Sequence, residues 1–169
     1  MGAAMDPALD PQNGADSGVL LFTYGTLMLT TGIAAVDAAT RDAGAVLGRG
    51  HIAGLLFDLG EYPGAVPLPG PQSPEEDAPK VWGRLIRLRD PAAFFRVIDA
   101  YEGFDPARRA ASEFVRAEAS VFLEPGGQRL FCQVYYYNFP IQGRPAIPGG
   151  DYLAYWHAKG RPAQGRIGS

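Results

Sequence analysis

Two groups of residues in this chain could do chemistry. Asp99 and Glu102 stand three apart near the end of an apolar-periodic stretch. At a helix C-terminus the backbone dipole opposes a carboxylate. If Glu102 faces the core beside Tyr101 and Phe104, loss of water raises its pKa further, and a carboxyl tuned that way is suited to proton transfer. The bland alternative is a solvated charge at a helix end. The second group is Tyr24-Gly25-Thr26-Leu27, directly after the apolar run Val19 to Phe22. A glycine after a buried strand lets the backbone turn sharply and approach something closely. Consecutive N–H groups leaving a strand can nest an anion such as a carboxylate; the competing reading is an ordinary turn.

Other candidates carry weaker signals. Tyr135, Tyr136 and Tyr137 alternate faces on a strand, so one can line a pocket while another packs. Tyr62 sits in a Gly-Pro turn and can close a pocket edge. Cys132 has no histidine near it in sequence and reads as a small buried residue. His51 reads as a polar surface or edge residue of a strand, and Arg108-Arg109 as a solvated pair in a loop.

These residues need elements to hold them. Val19 to Thr23 is a buried strand by its apolar, β-branched and aromatic run. Thr30 to Ala43 is Ala-rich and suits a short helix. Ala45 to Leu59, punctuated by Gly48, Gly50 and Gly54, reads as a long strand that bends, since interior glycines mark bulges and corners. Gly60 to Gly64 is a turn, Gly64 to Val66 a short strand, and Pro67 to Pro79 an exposed loop. Lys80 to Leu88 alternates, with Val81, Gly83 and Leu85 on one face. Asp90-Pro91 starts a helix, because Asp caps free N–H groups and Pro fits the first position. Phe94, Val97, Ile98 and Tyr101 make its apolar face, and Gly103 ends it. Glu113 to Glu124 and Arg129 to Asn138 are strands joined by a hairpin turn at Pro125 to Gln128. Asp151 to Lys159 suits a closing helix with Tyr152, Tyr155 and Trp156 on one side. The expected organisation is a tail over 1–18, one domain over 19–159 and a tail over 160–169. The expected class is α+β on an antiparallel, barrel-like sheet.

Composition bounds the rest. The chain has 169 residues, 47% hydrophobic and 20% charged, and its 15 basic and 18 acidic residues leave a net charge of −3. That gives no electrostatic footprint for nucleic acid or an anionic membrane. One cysteine excludes a disulfide within the chain, and two histidines far apart in sequence make a zinc site unexpected. No apolar run reaches the roughly 20 residues of a membrane span. No basic-then-apolar leader is visible, so the expected compartment is the cytoplasm and the default state a monomer.

Four segments, taken in order, resemble the γ-glutamylcyclotransferase-like superfamily, its avirulence-induced-gene-like and γ-glutamylamine branch in particular. Phe22 to Leu27 is similar to the family's opening strand and Tyr-Gly-Thr-Leu loop. Gly60-Glu61-Tyr62-Pro63-Gly64 resembles its Gly-x-Tyr-Pro turn. Ile98 to Gly103 resembles its Leu-Asp-x-x-Glu-Gly segment, and Ile147 to Tyr152 its closing Ile-Pro-x-Gly-Asp-Trp/Tyr segment. The resemblance spans about Leu20 to Tyr155. It implies a small distorted antiparallel β-barrel flanked by helices, and the cyclisation of a γ-glutamyl group to 5-oxoproline with release of an amine or amino acid. It implies Glu102 as general acid/base, Tyr24, Gly25, Thr26, Leu27, Tyr62 and Tyr135 as substrate-binding residues, and no cofactor or metal. Phe114-Val115-Arg116 stands where the family often has Tyr-x-Arg. Thr26 replaces the serine of the glutathione-specific branch, which points away from glutathione as substrate. The alternative is a small-molecule binding or interaction protein that keeps the barrel without catalysis.

Overall fold

Strand β1, Leu20–Thr23, is buried at every residue in the computed structural model, which describes residues 18–25, 27, 31–69 and 78–160. The run is apolar on both faces because it separates two cores. Leu20 and Phe22 point into one cluster with Ile52, Val81, Leu85, Val121 and Val134. Leu21 points into another, with Val36, Phe94, Phe95, Ile98 and Phe114. Alternating residues of one strand thus serve both layers.

The chain continues as helix α1 (Ala34–Arg41), strands β2 (Gly44–Ala53), β3 (Leu55–Asp58), β4 (Pro63–Val66) and β5 (Lys80–Leu88), helix α2 (Pro91–Tyr101), strands β6 (Phe114–Leu123) and β7 (Gln128–Tyr137), and helix α3 (Tyr152–Ala158). Strands β1, β5, β2, β6 and β7 form a closed barrel in that order, and β3 with β4 forms a separate two-stranded sheet. Each barrel step from β1 to β7 is antiparallel. Closure pairs β1 with β7 in parallel through Leu21 and Gln133. The expected α+β barrel is what the chain forms, with this one parallel pair besides. Directions that alternate around a ring of five strands must leave one neighbouring pair parallel.

The expected bend lies where the glycines stand. The β2–β5 register shifts between Val46 and Gly48, and Gly54 separates β2 from β3. Val81, Gly83 and Leu85 are buried while Trp82, Arg84 and Ile86 are not. His51 is no edge residue, since β2 lies inside the closed sheet; its ring packs 4.8 Å from that of Trp82 and 5.4 Å from that of Phe122. Two short 3-10 segments were not anticipated, one over Pro148–Gly150 and one over Pro106–Ala111, capped by the Asp105 carboxylate accepting from Ala107 N at 2.9 Å. The expected tails lie outside the described residues except for Gly18 and Gly160, and so do residues 70–77 of the Pro-rich loop. Among the described residues no helix is long and apolar enough to cross a membrane.

Helix α3 packs Tyr152 and Trp156 into the barrel cluster and is tied down by one carboxylate. Asp58 accepts from Tyr155 Oη at 2.8 Å, Lys159 Nζ at 3.2 Å and Gly60 N at 2.8 Å. Burial pushes the Asp58 pKa up, but these three donors outweigh it and hold the carboxyl below its ordinary value. A depressed carboxylate stabilises the fold above its unfolded pKa and loses that contribution as pH falls through the folded one. The melting-temperature gap between wild type and Asp58→Asn should therefore be widest above about pH 5 and shrink below about pH 4. A gap independent of pH would show that the charge contributes nothing.

Candidate active site

Glu102 is placed by the way α2 ends. The Asp90 carboxylate caps the helix start, accepting from Ala93 N at 3.1 Å, with Pro91 in the first turn. At the other end Phe104 N donates to Asp99 O at 2.8 Å and Gly103 N to Ala100 O at 3.2 Å. This pair of bonds is a Schellman closure, which needs a left-handed residue just past the cap; Gly103 supplies it with φ +68°. Glu102 is the cap residue itself and is only 7% exposed.

Glu102 faces a cavity of about 30 Å³ at the end of β1. Tyr24, Gly25 and Leu27 line it from the loop, Tyr62 and Pro63 from the turn before β4, and Phe114 and Tyr135 from β6 and β7. Phe22 and Thr23 complete the wall. The cavity wall therefore holds Glu102, Tyr24, Gly25, Leu27, Tyr62 and Tyr135 of the residues that the resemblance implied; Thr26 lies outside the described residues. Gly25 meets Pro63 closely enough that a Cβ built on it would stand 2.6 Å from Pro63 Cγ, so the loop and the turn touch only because residue 25 has no side chain.

Two phenols brace this wall. Tyr24 Oη donates to Tyr135 O at 2.6 Å and accepts from Ala65 N at 3.2 Å, joining β1, β7 and β4. Burial pushes its pKa far up; the Ala65 N–H opposes this, and the charges of Glu102 and Tyr136 add to it. Tyr135 Oη donates to Asp99 Oδ1 at 2.5 Å. Its pKa is raised chiefly by burial, then by the Asp99 hydrogen bond and by the charges of Asp99 and Glu102, with Arg116 opposing. Both phenols stay protonated over the working pH range and cannot serve as bases. Glu102 is the one carboxylic acid among the described residues lining the cavity.

Asp99 does not line the cavity. It is held by Arg116, whose Nε and Nη2 donate to its two oxygens at 3.0 and 3.1 Å, and the guanidinium lies 3.9 Å over the Phe95 ring. Asp99 is thus a hydrogen-bond partner at the end of α2, bonded to Arg116 and Tyr135. Tyr62 donates its hydroxyl to Glu113, which is not among the residues lining the cavity. Ser112 instead closes the Pro106–Ala111 turn, its hydroxyl accepting from Asp105 N at 3.0 Å. Cys132 is buried, and burial, with the Glu118 charge, pushes its thiol up to about 12. Arg108 is exposed and pairs with Asp105, away from the cavity. Among the described residues no group of three or more His, Cys, Asp or Glu side chains is placed to hold a metal ion.

Sequence reasoning missed Phe22, Thr23 and Pro63 as wall residues and Arg116 as the partner of Asp99. Thr23 carried a usable signal, a polar residue ending an otherwise apolar strand. The Asp99–Arg116 pair carried none, because the pairing depends on how β6 docks against α2.

The chain is similar to known proteins over nearly all of this architecture. An uncharacterised protein from Pyrococcus horikoshii superposes with a TM-score of 0.55 at 19% identity, covering 84% of this chain and 98% of its own. The ytfP protein of Escherichia coli gives 0.52 at 26% identity over 80% and 96%. An AIG2-like protein from Mus musculus gives 0.54 at 21% over 79% and 87%. No curated protein matches in sequence. The family model for gamma-glutamyl cyclotransferase, AIG2-like, matches residues 21–154, a span that runs from the first barrel strand through the cavity wall and the Glu102 cap to the closing helix, and the chain belongs to that family.

Proposed function

We propose that this protein is a γ-glutamylcyclotransferase acting on a small γ-glutamyl amine or amino acid, with Glu102 as its general acid/base. The observation that carries the reading is the burial of Glu102 on a cavity whose other described lining residues include no acid. Burying a carboxyl costs free energy that a passive binding wall would have no reason to bear. Family membership supports the same reaction class.

The chemistry asks little else of the protein. The substrate's α-amine, once it has lost a proton, attacks its own γ-carbonyl carbon. A C–N bond forms and closes a five-membered ring, and the γ-amide C–N bond breaks. Glu102 takes a proton from the attacking nitrogen and delivers one to the departing nitrogen, so 5-oxoproline and a free amine result and the carboxyl ends as it began. Backbone N–H groups of Gly25 and Leu27 hold the α-carboxylate or the developing oxyanion, a kind of contact worth roughly 3 to 4 kcal/mol in the transition state. Because ring closure is already intramolecular, folding the γ-glutamyl chain into an attack conformer is the main task.

The test is 5-oxoproline release, read by mass spectrometry, from γ-glutamyl amino acids, γ-glutamyl amines and ε-(γ-glutamyl)lysine. Release from any class supports the reading and ranks the leaving groups. No release, with binding of the same compounds retained, would favour a non-catalytic binding protein.

A further inference from the structure

Thr23 is 3% exposed, and its hydroxyl oxygen has no hydrogen-bond partner among the described residues although it is fully enclosed. A buried hydroxyl left unpaired destabilises the fold, so a residue with this defect calls for a reason. Thr23 is not in the middle of the core. It lines the Glu102 cavity, at the end of β1 and one residue before the Tyr24–Leu27 loop. Alternation along β1 puts its side chain on the face of Leu21, which packs with α2, the helix that ends in Glu102. Valine would fill the same space with no polar atom.

We infer that Thr23 is a further substrate-binding residue, whose hydroxyl takes as its partner the part of the γ-glutamyl group that leaves as 5-oxoproline. The inference rests on the cyclotransferase reading. The half of the ligand is assigned by continuity, since Thr23 directly precedes Tyr24 and Gly25 on the cavity wall, the side that the cyclotransferase reading gives to the γ-glutamyl group. A hydroxyl can donate to a carboxylate or carbonyl oxygen and can accept from the α-amine, groups that every γ-glutamyl compound shares. Thr23 therefore selects the γ-glutamyl moiety and is indifferent to the leaving amine. The hydroxyl has no protein partner among the described residues and gains one in the complex, so stability has been exchanged for recognition.

Thr23→Val and Thr23→Ser test this beside Glu102→Gln. In Thr23→Val the melting temperature of the free protein should rise by about 2–4 °C, because the unpaired hydroxyl is gone. Its kcat/KM should fall about tenfold, by a similar factor for every leaving amine. The thermal shift produced by 5-oxoproline should shrink in Thr23→Val and persist in Glu102→Gln. Thr23→Ser, which keeps the hydroxyl, should recover most of the activity. Unchanged turnover and an unchanged 5-oxoproline shift in Thr23→Val would overturn the inference while leaving the cyclotransferase reading intact. Absence of both turnover and any 5-oxoproline shift in the wild type would overturn the two together. A loss that varied strongly with the leaving amine would overturn the assignment to the γ-glutamyl half.

Discussion

Glu102→Gln should lower 5-oxoproline release by about 10³-fold or more and leave the protein folded. Glutamine has nearly the same shape and keeps one oxygen in place, but it can neither take the proton from the attacking nitrogen nor give one to the departing nitrogen. Both halves of the reaction are lost at once, so the effect belongs at the upper end of what general acid/base catalysis contributes. The fold should not suffer. Glu102 is 7% exposed, and glutamine fills the same space, can still hydrogen-bond and carries no charge to desolvate. The melting temperature should stay close to that of wild type. Glu102→Asp separates chemistry from geometry. It keeps a carboxyl but withdraws it by one methylene, and a displacement of about 1 Å costs up to a hundredfold, so its rate should fall between wild type and glutamine. Gln-level activity in the Asp variant would mean that position dominates. Wild-type turnover in Glu102→Gln would remove Glu102 from the reaction.

What the sequence made legible follows from how local each signal is. Asp90-Pro91 and Gly103 bracket α2 because capping needs only residues within a turn of the helix end. Lys80–Leu88 was legible because one face of β5 is buried and the other is not. Glu102 and the Tyr24 loop stood out by residue type, and the fold brings them to one cavity. The same Asp-Pro signal stands at Asp105-Pro106, where it starts a 3-10 helix with no buried residue. No apolar period stands behind it, which is why Arg108-Arg109 reads as part of a loop. The parallel closure of β1 on β7 was not legible at all, since it follows from the number of strands in the ring and from no segment in particular. The same holds for contacts made across layers. Pro63 sets the approach of Gly25, and Tyr24 Oη serves the framework by bonding Tyr135 O and Ala65 N. Spacing along the chain carries no trace of either.

Arg116→Met should destabilise the protein by about 2–3 kcal/mol and impair the site without touching the cavity wall. Arg116 and Asp99 are 24% and 17% exposed at their side chains, so the pair is more than a surface salt bridge, for which 0–1 kcal/mol would be expected. Its fork is bidentate, the geometry that gives an arginine–carboxylate pair its strength. Methionine can still cover the Phe95 ring, on which the guanidinium now lies, so the loss isolates the charge. Asp99 then keeps a hydrogen bond from Tyr135 Oη but has lost its counter-charge, and the cost is chiefly that of a partly buried carboxylate left alone. Two comparisons make the argument testable. Asp99→Asn with Arg116→Met should be less destabilised than the sum of the single variants, because the second change removes the stranded charge. Arg116→Lys should recover only part of the loss, since an ammonium cannot make the fork. Activity, measured well below the melting temperature, should fall about tenfold or more in Arg116→Met. Asp99 fixes the Tyr135 phenol, and Tyr135 forms the cavity wall opposite the end of α2. Denaturant unfolding that placed Arg116→Met within about 0.5 kcal/mol of wild type would reduce the pair to a surface contact.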